Sequence, residues 1–421
     1  MKTSVGILTA IVVTVLVAAC TDKIDGGAAC PDLCPTQPNT FKDTTLFAVE
    51  LDTTISGFPT FGLGTSILLA NRPDTLETRA VIRFDVLPTE FTPNNSGEAV
   101  TIATVDSAFL RVVIDSTGAR GAAQVELQAY DVDTTDVSPS SAVIQSLFRP
   151  DRLLGTIPIT TVAARDTVRI PISKTVLEKK LADHSRFRIG IRLVGATSAQ
   201  VRIVQQNSGF GSPLLAFDPS SDTTYLPLTV SPNTAIGVDA DELLGASVST
   251  LLVRGTPDAD AQSLTVGGFP SRRSYLRFNV PASILDSATV VRAELILTQR
   301  PVRGLDPKDT IAVVPLIGVS STLVTDIRRI MELAAPGLFA APALDSLLVV
   351  PSDSGTKSLN LLGVIRNWSA LPTTVTRALI LRSSHEGSEP AEARFYSIEA
   401  PIALRPRIRI TYLPRVDRAL P

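Results

Sequence analysis

Apolar and polar positions alternate with a period of two through most of this chain. In Ala80-Val81-Ile82-Arg83-Phe84-Asp85-Val86, one face carries Val81, Arg83 and Asp85. The other carries Ala80, Ile82, Phe84 and Val86, the two-sided pattern of a strand. Ala108 to Ile114 repeats it, and Val125 to Tyr130, Phe187 to Val194 and Val201 to Gln205 continue it. Two stretches keep a helical period instead. Ile172, Val176, Leu177 and Leu181 lie near one helical face, and Leu361, Ile365 and Trp368 fall at i, i+4 and i+7. Turn-forming prolines separate the alternating runs, and Val, Ile and Thr fill them, which predicts an all-β chain.

The pattern occurs twice. Ala80-Val-Ile-Arg-Phe-Asp-Val86 returns as Ser274-Tyr-Leu-Arg-Phe-Asn-Val280, with Pro88 and Pro281 after them. The strand at Ser107 to Val113 is matched by Arg292 to Leu297. The amphipathic helix at Ser173 to Ala182 is matched by Asn360 to Ser369. Arg186 to Leu193 corresponds to Arg377 to Arg382, Ala199 to Ile203 to Ala391 to Phe395, and Pro213 to Phe217 to Pro406 to Ile410. A period of about 190 residues is far too long for a solenoid and reads as two copies of one domain. The joint is expected near Ser231 to Asn233, which gives domains 42–231 and 232–421.

The first 41 residues follow neither period. Val5 to Val17 is almost wholly apolar behind Lys2, yet shorter than the ~20 residues that span a bilayer. It fits the apolar region of a secretory signal. The small pair Ala18-Ala19 then meets Cys20. This junction resembles the lipobox of bacterial lipoproteins, which implies cleavage after residue 19 and a lipidated Cys20. Several acyl chains on one residue anchor stably. Thr21 in second place, with Asp22 one later, favours the outer membrane by the same resemblance. Residues 20–41 hold Gly26-Gly27, Pro31, Pro35 and Pro38 without apolar periodicity and read as a flexible tether.

Composition narrows the chemistry. The formal net charge of −2 leaves no basic footprint for nucleic acid. Cys30 and Cys34 are the cysteines left after Cys20; in an exported chain they are a candidate disulfide, with free thiols or a metal as alternatives. Two cysteines without a nearby histidine make a poor zinc site. His184 and His385 are the whole histidine complement, which starves any histidine-based mechanism. No GxSxG elbow occurs, so a hydrolase triad has no anchor. Asp131-Val-Asp-Thr-Thr-Asp136 is the strongest acidic cluster, readable as a calcium loop or a solvated turn. Asp239 to Glu242 and Asp258 to Asp260 are weaker versions. Arg83 with Asp85, and Arg277 with Asn279, read as structural pairs or as polar ligand contacts. Trp368 reads as core, and Tyr130, Tyr225, Tyr275, Tyr396 and Tyr412 are spread through the chain.

Ile82-Arg83-Phe84-Asp85, Leu276-Arg277-Phe278-Asn279, Ser107-Ala108-Phe109-Leu110 and the Leu361 to Trp368 helix resemble the DNRLRE domain of bacterial exported proteins. Asp52-Thr53-Thr54 with Phe61-Gly62 resembles its opening. The chain departs from that pattern in Asn279, in a first helix without Trp, and in insertions at Phe91 to Thr104 and Thr322 to Ser352. The resemblance implies two tandem jelly-roll β-sandwiches and a likeness to carbohydrate-binding modules. The expected protein is a non-catalytic envelope lipoprotein that binds a glycan or scaffolds, without cofactor or metal. A structural or adhesive protein that binds another envelope protein is the alternative, and a carboxylate-based polysaccharide hydrolase or lyase the third.

Overall fold

The structure is a computed structural model. It describes residues 40–58, 66–93, 97–121, 124–160, 165–195, 198–205, 213–222, 226–234, 247–256, 262–318, 345–372 and 375–414. Cys20, Cys30, Cys34, Tyr225 and the acidic runs at 239–242 and 258–260 lie outside them. By compactness, Met1–Phe41 and Lys42–Pro421 are separate units.

Among the described residues, twenty-four strands and four short α-helices follow in order. β1 is Lys42–Leu46, β2 Val49–Phe58, β3 Ser66–Arg72 and β4 Leu76–Phe84. The first long insertion forms a small hairpin, β5 Glu90–Phe91 with β6 Val100–Thr101. Next come β7 Val105–Gly121, β8 Gln124–Asp131, α1 Ser141–Ser146, β9 Leu153–Thr160 and β10 Arg165–Pro171. The first copy closes with α2 Lys174–Ala182, β11 Phe187–Val194, β12 Ala199–Val204 and β13 Leu214–Pro219. β14 Leu228–Val230, β15 Val248–Arg254, β16 Ser263–Gly267, β17 Ser271–Phe278 and α3 Ala282–Leu285 follow. The chain continues with β18 Ala288–Arg300, β19 Ile311–Gly318, β20 Leu347–Val349 and β21 Gly355–Asn360. Last are α4 Leu362–Ala370, β22 Arg377–Ser383, β23 Glu392–Tyr396 and β24 Arg407–Pro414.

Among the described residues the strand pairings are antiparallel and, apart from the β5–β6 hairpin, build two eleven-stranded bodies. In the first, the hydrogen-bonded path β14-β13-β7-β12-β3 passes through the β3–β4 hairpin into β4-β11-β8-β9, with β15 on β4. With β10 paired on β7 as the eleventh strand, two layers enclose one core that includes Ile67, Ile82, Leu110, Leu127, Ile189 and Phe217. The second body repeats the plan. β1-β24-β18-β23-β16 lies on one side and β2-β17-β22-β19-β20 on the other, with β21 paired on β18, around Leu276, Leu295, Trp368, Leu379 and Phe395. This is the all-β double sandwich expected from the alternation. Both expected helices form. Leu177 and Leu181 of α2 are buried, as are Leu361, Ile365 and Trp368 around α4, whose start is fixed by Asn360 Oδ1 accepting the Leu362 N–H at 3.0 Å.

Sheet membership crosses between the two copies in both directions. β1 and β2 open the first copy but complete the second body, on β24 and β17. β14, which ends at Val230 just before the expected joint, and β15 correspond by register to β1 and β2 and complete the first body, on β13 and β4. The registers match residue for residue. Thr54 opposes Ser274 as Thr250 opposes Ala80, and Leu46 opposes Ile408 as Val230 opposes Leu215. Each copy's first two strands therefore serve the other copy. The exchange holds the bodies together, and a small apolar seam adds to it. Leu68, Ala70 and Leu76 of the first body pack with Phe269 of the second, flanked by Leu252 and Leu305.

Candidate functional site

A cleft of about 680 Å³ opens at that seam. The β3–β4 turn contributes Arg72, Asp74 and Thr75, and the crossing between β15 and β16 contributes Gly255 and Thr256. The loop after β18 adds Pro301 to Leu305, and β23 adds Glu392 and Arg394. Its walls therefore come from both bodies. Their polar groups are held in a network. Arg72 bonds both oxygens of Asp306, at 3.0 and 2.8 Å, and Gln200 at 3.0 Å. Glu392 is clamped between two guanidiniums, Arg272 at 2.7 Å and Arg394 at 2.5 Å. Arg272 also donates to the Thr256 hydroxyl and carbonyl, at 3.0 and 3.1 Å. Gly268 permits this, because a Cβ there would stand 2.7 Å from Arg272 Nη1 and 2.8 Å from Glu392 Oε2. Arg303, exposed on the rim, has no ion-pair partner among the described residues. Nothing in the alternation pointed to this cleft, since its residues come from turns and crossings far apart in sequence.

The acidic cluster at Asp131 lies at a second hollow, of about 480 Å³. Its first two carboxylates face cations, while Thr135 and Asp136 stay exposed. Lys180 from α2 and Arg186 both reach Asp133 at 2.8 Å. Arg152 donates to the Asp131 and Asp133 carbonyls, both at 2.9 Å, and Arg186 to the carbonyls of Thr134 and Asp136. Burial opposes the charge on Asp133, but the bonds from Arg186 and Lys180 prevail and hold its carboxyl below the ordinary range. Burial pushes Asp131 up, against the pull of Lys180. Among the described residues, no three or more His, Cys, Asp or Glu side chains are grouped to hold a metal. This cluster pins the long β8–β9 excursion down instead.

That excursion covers the outer face of β4, β11 and β8. Val81, Tyr130, Val132, Ile144, Phe148 and Leu251 form a second small core beneath it. Gly190 is required there, because a Cβ would lie 2.5 Å from the Phe148 ring. The cover buries the Arg83–Asp85 pair, whose bonds are 3.1 and 2.6 Å, on a face that alternation alone would leave to solvent. Arg188 opposes Arg83 across the strands and is also fully buried. Burial and the Arg83 charge lower its pKa to about 10. The equivalent pair in the second copy is different: Arg277 pairs not with Asn279 but with Glu50 of β2, at 2.7 Å.

Trp368 lies in the core beside Phe278, ring centroids 5.3 Å apart, and Tyr130 and Tyr275 are buried. His184 and His385 are exposed in turns. Asp52 of β2, which accepts the Ile398 N–H at 2.9 Å, is pushed up to about 6 by burial, with Glu399 adding to the effect. Its folded value exceeds the ordinary aspartate value of 3.8, so its ionised form opposes folding. That penalty is absent below pH 3.8, grows between there and 6, and is complete above. Asp52→Asn keeps the acceptor and removes the charge. Thermal melts from pH 4 to 8 should show the variant more stable above pH 6 and equal to the parent near pH 4; a constant offset would exclude titration of Asp52 as the cause.

No family model matches this chain, and no curated protein does. Among solved structures, a presumed secreted protein from Parabacteroides distasonis is 7% identical, covering 89% of this chain and 100% of its own, with a TM-score of 0.20. T=1 particles derived from infectious bursal virus match at 11% identity over 85% of this chain and 76% of theirs, with a TM-score of 0.14. Scores this low carry no argument about fold or activity.

Proposed function

We propose that this chain is an exported, non-catalytic binding module, held at the outer membrane by a lipid on Cys20. Its ligand is a glycan bearing carboxylate or sulfate groups, taken in the seam cleft. The observation that carries this reading is the cleft, built by both bodies with Arg303 unpaired among the described residues on its rim. Junctions between folded bodies are favoured ligand sites, and the volume falls in the usual range. None of the described residues that line it is aromatic, so sugar stacking gives way to charge and hydrogen bonding. Glu392 and Asp306 are committed to arginines, which suits holding a ligand better than shuttling protons. Export and anchoring rest on the lipobox resemblance at Cys20, and the glycan class also on the likeness to DNRLRE domains.

The test is binding of the anchor-free chain to a panel of neutral, carboxylated and sulfated glycans. Retention on anionic members is expected, with Arg303→Glu lowering affinity at least tenfold and leaving the melting midpoint unchanged. Retention on no glycan sinks the reading, and recovery of one envelope protein in a pull-down would then favour the adhesive alternative. Fatty-acid labelling should disappear in Cys20→Ala; label that persists in the variant would place the anchor elsewhere.

A further inference from the structure

The two exchanged strand pairs share one register, so something must decide which copy each enters. We infer that Glu50 and Asp52 on the donor strand, with Asp85 and Asn279 on the acceptors, form a recognition code that steers residues 42–58 into the second body and 228–254 into the first.

The code follows from superposing the two registers. Asp52 opposes Leu276, and Val248 opposes Ile82, at equivalent places on the core-facing side of each sandwich. Val248 is buried in the first core. A self-closed first copy would put the Asp52 carboxylate in that apolar place, without the Ile398 N–H that it accepts at 2.9 Å in the second body. A buried carboxylate that loses its donor is strongly disfavoured.

The second element of the code is a matter of charge. In the first body Arg83 is paired with Asp85, just past the end of β4, with side chains 0% and 3% exposed. In the second body the residue at the Asp85 position is Asn279, and the carboxylate for Arg277 arrives on the donor strand as Glu50. The described strands of the first-body donor, Leu228–Val230 and Val248–Arg254, carry no carboxylate. Self-closure of the second copy would leave Arg277 without that carboxylate. Self-closure of the first would bring Glu50 to an arginine that Asp85 already neutralises. Each wrong pairing thus meets a misplaced or missing charge, which is how specificity is commonly built. The partner that fits each open pair of edges is the other copy of the repeat.

Disulfide trapping in the full mature chain, with Cys20, Cys30 and Cys34 changed to Ser, tests the code. Thr54→Cys with Ser274→Cys reports exchange, because those residues oppose each other. Thr54→Cys with Ala80→Cys reports self-closure, because Ala80 holds the same register in the first body. Directly opposed strand positions lie within disulfide reach. The exchanged bond should form almost completely and the self-closed one only in traces. Adding Glu50→Ala, Asp52→Val and Asn279→Asp removes the charge differences of the code, and the self-closed bond should rise at least tenfold. If the triple variant fails to fold, Asp52→Val alone should give a smaller rise. Efficient self-closure before any code residue is changed would overturn the inference. So would exclusive exchange in the folded triple variant, which would assign the choice to the connections rather than to these side chains.

Discussion

Deleting Lys42–Phe58 should destroy the fold of the second body rather than trim the end of the chain. The deletion strips β24 and β17 of their outer neighbours and removes Ala48 and Val49 from the core. Burial of a Val or Ile side chain is worth about 1.5–3 kcal/mol, and two ladders of backbone hydrogen bonds vanish with it. Arg277 loses Glu50 as well. Against a typical stability of about 5–15 kcal/mol, the combined loss exceeds what a domain tolerates. The open edges then invite aggregation. Gel filtration and far-ultraviolet circular dichroism should show loss of soluble monomer and of strand signal. A soluble monomer with the parent's melting midpoint would refute the assignment of these strands.

The second large effect is expected at the floor of the cleft. Glu392→Ala leaves Arg272, 1% exposed, and Arg394 side by side without their shared carboxylate. Uncovering a buried charge in this way costs about 3–5 kcal/mol. Asp309→Ala is the control, because its pair with Arg120 spans the same seam with side chains 32% and 42% exposed. Such surface pairs are worth about 0–1 kcal/mol. Urea denaturation should therefore separate the two variants clearly. Equal midpoints would mean that the Arg272–Glu392–Arg394 cluster does not hold the cleft in place.

The fold class was legible because a period of two states which face of each strand is buried. Ile82 and Phe84 lie inward and Arg83 and Asp85 outward, as the pattern requires. The two longer helices were legible for the same reason, through Leu177 and Leu181 and through Ile365 and Trp368. What the alternation does not encode is the identity of the neighbouring strand. β2 and β15 present equivalent patterns, so the repeat suggested two self-contained domains, whereas the sheets are completed across the joint. Cover was equally hidden. Nothing in the local pattern says that residues 132–152 fold over Arg83 and Arg188, since the packing depends on Phe148 meeting the bare Gly190. The Asp131 cluster showed its carboxylates in sequence but not Lys180 and Arg186, which arrive from an element some fifty residues later. Asn279 stood out as a departure from the repeat; its reason, Glu50, comes from the other end of the chain.

The central claim is that the two copies form one interlocked body through their exchanged strands. The most direct measurement is to place a protease site in the connection 220–227, between β13 and β14, and cut the folded chain there. Interlocked halves should elute together at the mass of the uncut protein under native conditions and part only in denaturant. Halves that separate in native buffer as two folded monomers would contradict the account.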